Sequence, residues 1–120
     1  MLNPNFVLLY VESPLKSADF YENLLGTPPV DRAPTFSMFA LPSGIMLGLW
    51  AKAGVQPPAT SGGGSELAFT AEGKAAVDKT FVDWKAKGVH IIQPPVQMDF
   101  GYTFTAMDPD GHRLRVFAPG

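Results

Sequence analysis

Apolar residues recur along this chain in two rhythms, and each half of the chain runs through them in the same order. Residues 6 to 11, Phe-Val-Leu-Leu-Tyr-Val, are an apolar run of strand length. Ser13-Pro14 then supplies a capping hydroxyl and a proline at the first helical position, predicting a helix from Leu15 to Leu25 that Gly26 ends. Its apolar positions, Leu15, Ala18, Phe20, Tyr21, Leu24 and Leu25, approximate a period of 3.6. Pro28 and Pro29 break the chain. Two strands, roughly 35 to 41 and 45 to 51, flank the turn Leu41-Pro42-Ser43-Gly44.

The second half repeats this plan. Glu66 to Thr70 reads as a strand, and Gly73 to Lys87 as a helix with Ala76, Val77, Phe81 and Trp84 on one face and Gly88 as its stop. Val89 to Ile92 is a strand limited by Pro94 and Pro95, and Tyr102 to Met107 pairs with His112 to Phe117. Leu41-Pro42-Ser43-Gly44 superposes on Asp108-Pro109-Asp110-Gly111, so Gly48 falls on Arg115 and Trp50 on Phe117. In both, proline at i+1 and glycine at i+3 suit a type I turn. The expected fold is α+β: two tandem βαβββ modules, 1–52 and 65–120, within one domain. A Gly/Pro-rich linker, 53–64, joins them, and a cup-shaped mixed sheet carries the helices on its outer face.

Strand side chains alternate between faces, so parity sorts them. Val7, Leu9, Val11, Ile45, Leu47, Leu49, Leu67, Phe69, Leu114 and Val116 are uniformly apolar and should carry the helices. The opposite parity mixes aromatics with charge: Phe6, Leu8 and Tyr10; Met46, Gly48 and Trp50; Glu66, Ala68 and Thr70; Arg113, Arg115 and Phe117. That mixture suits a ligand pocket. With four-residue turns, Phe39 lies beside Met46, Ser37 beside Gly48, Phe104 beside Arg115 and Tyr102 beside Phe117, and all join the same face.

Composition narrows the chemistry. A net charge of −2 with scattered Lys and Arg lacks the basic excess that phosphate binding needs, which argues against nucleic acid. The absence of cysteine excludes disulfides, thiolate nucleophiles and thiolate metal sites. Neither a positively charged leader nor a membrane-length apolar run occurs, so a soluble cytoplasmic protein is expected. The Gly62–Gly64 run lacks the lysine and context of a phosphate loop, and His90 and His112 do not form a metal-spaced pair.

Val11 with Ser13-Pro14, then Asp19-Phe20-Tyr21 with Leu24-Leu25-Gly26, then Asp108-Pro109-Asp110-Gly111 together resemble the vicinal oxygen chelate superfamily. That superfamily includes glyoxalase I, extradiol dioxygenases and bleomycin-resistance proteins. The stretch from Phe39 to Trp50, with Asp99-Phe100-Gly101 and Thr103-Phe104, is most similar to small antibiotic-binding members such as phenazine-resistance proteins. The resemblance implies a homodimer that holds a planar drug, unchanged, in interface cavities framed by aromatic side chains. Metal-dependent members carry His or Glu at positions matching Phe6 (or Asn5), Gly48, Glu66 and Arg115 here. One carboxylate remains, and a guanidinium would repel a cation, so no metal, no other cofactor and no catalytic residue is expected.

The expected ligand-binding residues are therefore Trp50, Phe39, Met46, Gly48, Ser37, Glu66, Tyr102, Phe104, Arg115 and Phe117. Trp50 beside Gly48 offers a flat wall with room in front, or else packs in a core or subunit interface. Arg115 must be paired, either by Glu66 or by a ligand carboxylate. The favoured function is sequestration of a planar aromatic antibiotic. Two alternatives stand: a metal-dependent lyase, isomerase or dioxygenase, and a partner-binding module using Gln56-Pro57-Pro58 and Gln93-Pro94-Pro95.

Overall fold

The computed structural model describes residue 2 and residues 4–62 and 64–120. The chain forms two compact units that divide at residues 62 and 63, each with one four-stranded sheet. The first comprises β1 (Phe6–Val11), α1 (Pro14–Leu25), β2 (Asp31–Arg32), β3 (Phe36–Ala40) and β4 (Met46–Ala51). The second comprises β5 (Glu66–Thr70), α2 (Lys74–Ala86), β6 (His90–Met98), β7 (Gly101–Met107) and β8 (Arg113–Pro119). Their strand orders, β1-β4-β3-β2 and β5-β8-β7-β6, are the same mixed topology. In each, the first strand lies parallel to the last and the other pairs are antiparallel. The two βαβββ modules are thus a structural duplication.

Local chemistry explains the helix ends. Ser13 Oγ accepts the Lys16 N–H at 3.3 Å, Pro14 opens α1, and Gly26 at φ 73° donates its N–H to the Glu22 carbonyl at 2.9 Å. Each helix lies on one face of its sheet. In the first module, Tyr21 of α1 meets Phe39 with ring centroids 6.5 Å apart, above fully buried Val11 and Leu49. In the second, Trp84 of α2 packs edge-on against Phe69 at 5.5 Å and Phe104 at 5.4 Å, over Leu114 and Val116. Burying a side chain of this size contributes about 1.5–3 kcal/mol, so these layers hold the modules together.

Three expectations change. The strand expected to end at Ile92 runs on to Met98 through both prolines. It can do so because β6 is an edge strand, and its pairing with β7 slips between Ile91 and Gln93 and again between Gln93 and Val96, around the residues without N–H groups. The expected linker is partly structured: a 3₁₀ turn covers Lys52–Gly54, and Val55 is buried.

The third change concerns register. Leu41 and Ile45 pair across the first turn by an N–H to carbonyl bond of 3.0 Å, and Asp108 and His112 across the second at 2.9 Å. Each turn therefore contains three residues between paired ends, and its last residue, Gly44 at φ 93° or Gly111 at φ 88°, is left-handed. This is a type I turn closed by a glycine bulge, one residue longer than a plain four-residue turn. The partners become Met38 with Gly48, Phe36 with Trp50, Thr105 with Arg115 and Thr103 with Phe117. Phe39, Ser37, Phe104 and Tyr102 consequently belong to the helix-bearing faces, opposite to the expected side. A one-residue slip reverses a whole strand.

A methyl group added at Gly111 meets no atom within 4 Å, so replacement by alanine costs only the left-handed backbone, about 1–2 kcal/mol. Urea unfolding of Gly111→Ala should show that loss. Gly62→Ala, at a position equally uncrowded and without positive φ, should not. Equal stabilities of the two variants would contradict the bulge as the origin of the register.

Candidate functional site

Each sheet turns a second face away from its helix, and the two open faces differ in chemistry. On the first, Phe6, Leu8 and Tyr10 of β1 alternate with the buried parity and remain 43%, 45% and 41% exposed. Such a row of half-exposed large apolar groups marks a binding or interaction surface. Trp50 stands beside Tyr10 in register, with the rings edge-to-face at 6.2 Å. Phe36 pairs with Trp50 on its other side, and Met38 with Gly48. Met46, as expected, shares this face.

The room expected in front of Gly48 is already used. A Cβ there would stand 2.6 Å from Leu8 Cδ2 and 2.9 Å from both Phe36 Cζ and Phe6 Cε1. Three side chains fold over the glycine, and the missing side chain is what lets them meet. Trp50 is thus the end of a continuous aromatic and aliphatic surface rather than the wall of an empty slot.

The open face of the second module centres on Arg115. Its Nε and Nη2 donate to Glu66 Oε1 at 2.8 Å and Oε2 at 3.0 Å, a bidentate pair, and its Nη1 donates to Thr103 Oγ1 at 3.1 Å. Thr103 is fully buried and passes its own proton to the Val116 carbonyl at 2.9 Å. Phe100 lies over the guanidinium, 5.5 Å from Cζ to ring centroid, and packs edge-on against Phe117 at 6.1 Å. Of the two partners that the sequence left open for Arg115, Glu66 is the one in place. Next to it, an open depression of about 570 Å³ is lined by Glu66, Ala68, His112 and Arg113.

Thr103 and Phe100 were absent from the residues expected at the site, as were Phe36 and Met38. The signal for Thr103, Phe36 and Met38 lay in the turn glycines, which set the register. Tyr102, placed on the helix side, donates its phenol to Asp78 Oδ1 at 2.7 Å, with Lys74 Nζ 5.6 Å from its ring. That hydrogen bond to a carboxylate raises the Tyr102 pKa. Ser37 is buried and bonds the backbone of Ala33.

The positions at which the resemblance puts metal ligands do not fit a divalent ion. On β1, parity presents Phe6 rather than Asn5 to the open face, and Gly48 beside it offers no donor. On the second sheet, the Glu66 carboxylate is engaged by a guanidinium. Among the described residues, no three His, Asp or Glu side chains converge in a way that would hold an ion.

Paired βαβββ modules with these open faces define a fold class, and the match of residues 3–116 to the Glyoxalase/Bleomycin resistance protein/Dioxygenase superfamily makes the assignment firm: the chain belongs to that family. Among its relatives is the phenazine antibiotic resistance protein EhpR of Enterobacter agglomerans, 32% identical over 96% of this chain and 91% of that protein. Protein ATC0852 of Agrobacterium tumefaciens, solved by NMR, is 55% identical, covers 100% of this chain and 99% of its own, and superposes with a TM-score of 0.90. A glyoxalase-related enzyme from Fulvimarina pelagi shares the fold, with a TM-score of 0.85 at 22% identity over 98% of this chain and 88% of that one.

The ion pair sets a pH dependence. The hydrogen bond from Arg115 is the main cause that lowers the Glu66 pKa; partial burial opposes it, and the charges of Arg115 and Arg113 add to it. A carboxylate whose pKa is lower in the folded state stabilises the fold above its ordinary value of 4.5, and this contribution is lost as pH falls through the lowered one. The stability gap between the parent protein and Glu66→Gln, followed by urea unfolding, should therefore be largest near neutrality and shrink below pH 4.5. A gap independent of pH would mean that the pair contributes nothing as an ion pair.

Proposed function

We propose that this protein binds a planar aromatic small molecule of the phenazine type and sequesters it without chemical change, giving resistance to an antibiotic. The observation that carries this reading is the open face around Trp50, where Tyr10, Phe36, Phe6 and Leu8 keep a continuous apolar surface half exposed. The kinship with a phenazine resistance protein supports the same reading. Trp50, Met46 and Gly48 serve on this face. Glu66, Arg115 and Phe117 serve on the open face of the second module, next to a depression whose volume lies in the usual range for small-molecule sites. Phe39, Ser37, Phe104 and Tyr102 support these faces from the helix side.

The protein acts in the cytoplasm as a homodimer, with no cofactor and no nucleic-acid partner. No helix among the described residues is long and apolar enough to cross a membrane. Phe6 and Gly48 provide no metal donor, which favours binding over the metal-dependent chemistry of other family members.

Fluorescence titration of chelator-treated protein with phenazines tests this. Saturable quenching at one ligand per chain should vanish in Trp50→Phe, because Trp84, on the sheet-facing side of α2, is buried against Phe69 and Phe104 and contributes only background. Trp50→Ala should weaken binding about threefold to tenfold, the worth of an aromatic stack. Ligand recovered intact supports sequestration. Flat titrations together with turnover restored by Mn²⁺, Ni²⁺ or Zn²⁺ would support an enzyme instead.

A further inference from the structure

An arginine on a binding face ordinarily announces an anionic ligand, because a guanidinium matches a carboxylate with two parallel hydrogen bonds. Here that match is already made within the chain. Arg115 Nε and Nη2 hold both oxygens of Glu66 at 2.8 and 3.0 Å, and Nη1 is fixed at 3.1 Å by Thr103 Oγ1. The Thr103 hydroxyl has one proton and gives it to the Val116 carbonyl at 2.9 Å, so toward Arg115 it acts only as an acceptor. Phe100 covers the guanidinium at 5.5 Å from Cζ. The arginine side chain is 17% exposed and the glutamate 30%. Of the five guanidinium N–H groups, three are committed and two remain.

We propose that the Glu66–Arg115 pair is a charge filter, which makes the open face of the second module select an uncharged aromatic ligand and discriminate against its carboxylated counterpart. The inference rests on the binding function proposed above. At Arg115 an incoming carboxylate has two routes, while Arg113 on the same face is exposed and offers only a water-screened charge. It can displace Glu66, which breaks a bidentate pair and leaves the Glu66 carboxylate, 30% exposed, without its partner. Alternatively it can dock on the remaining N–H groups with Glu66 still bound, where the two anions repel at short range in a partly desolvated site. A neutral acceptor, such as a ring nitrogen, amide or quinone oxygen, takes a remaining N–H with neither penalty. Thr103 and Phe100 are positioning residues: they hold the guanidinium plane in the orientation that Glu66 requires.

Two ligands with the same ring isolate the charge. Phenazine-1-carboxamide and phenazine-1-carboxylate, titrated calorimetrically at pH 7.5, should differ by about tenfold or more in favour of the amide, the worth of one charge-assisted hydrogen bond. In Glu66→Gln, Arg115 becomes the uncompensated charge, and the preference should fall to parity or invert. Carboxylate binding as tight as or tighter than amide binding in the parent protein overturns the filter while leaving the binding function intact. That comparison needs no variant, so poor folding of Glu66→Gln does not obscure it. An amide preference that persists unchanged in a folded Glu66→Gln also overturns it, by tracing the selectivity to another group. No binding of either ligand overturns both the filter and the function on which it rests.

Discussion

Two glycines held at positive φ decide which side chains each sheet gives to its helix and which it turns outward. Gly44 and Gly111 each close a type I turn with a left-handed residue, and the extra residue moves β3 and β7 by one step against β4 and β8. Everything else in the modules is arranged around that step. Phe39 reaches Tyr21, and Phe104 reaches Phe81 and Trp84, only because the step puts them beneath the helices. The same step brings Phe36 beside Trp50 and places Thr103 where Arg115 can use it. Core and open face are therefore set by one backbone choice made twice.

The two copies of the module then diverge in what the open face carries. In the first copy, Gly48 removes the obstacle between Phe6, Leu8 and Phe36, and the surface becomes continuous carbon. In the second, the equivalent position is Arg115, whose length and charge demand a partner, and Glu66 on β5 supplies it across the adjoining strand. A duplicated scaffold thus bears an apolar platform in one half and a compensated ion pair in the other. The pair is only partly shielded from water, so its value lies in fixing the guanidinium plane more than in adding stability.

Much of this was legible in the amino-acid order. Ser13-Pro14 and Gly26 marked the limits of α1, and parity within β1, β4, β5 and β8 separated Val11, Leu49, Leu114 and Val116 from Phe6, Trp50, Glu66 and Arg115. Those assignments needed only the period of a strand. Placing β3 and β7 needed, in addition, the length of the turn, which proline at its second position and glycine at its fourth leave open. A glycine at that place can close a four-residue turn or bulge into a fifth, and only its φ distinguishes the two. The extended course of β6 was hidden for a similar reason: two consecutive prolines normally end a strand, and an edge with an irregular ladder is the setting in which they do not.

The β6 edge of the second sheet resists pairing with another chain. Any strand edge offers a row of N–H and carbonyl groups that another chain can copy, which is the usual route to fibrous aggregation. On β6, Pro94 and Pro95 remove two consecutive donors, and the slips in pairing around them twist what is left. At the corresponding edge of the first sheet, β2 is only two residues long, Asp31 and Arg32, both charged and exposed. A protein with aromatic rings left half bare runs a standing risk of sticking to its own kind. At these two edges such a contact, once made, has no ladder along which to grow.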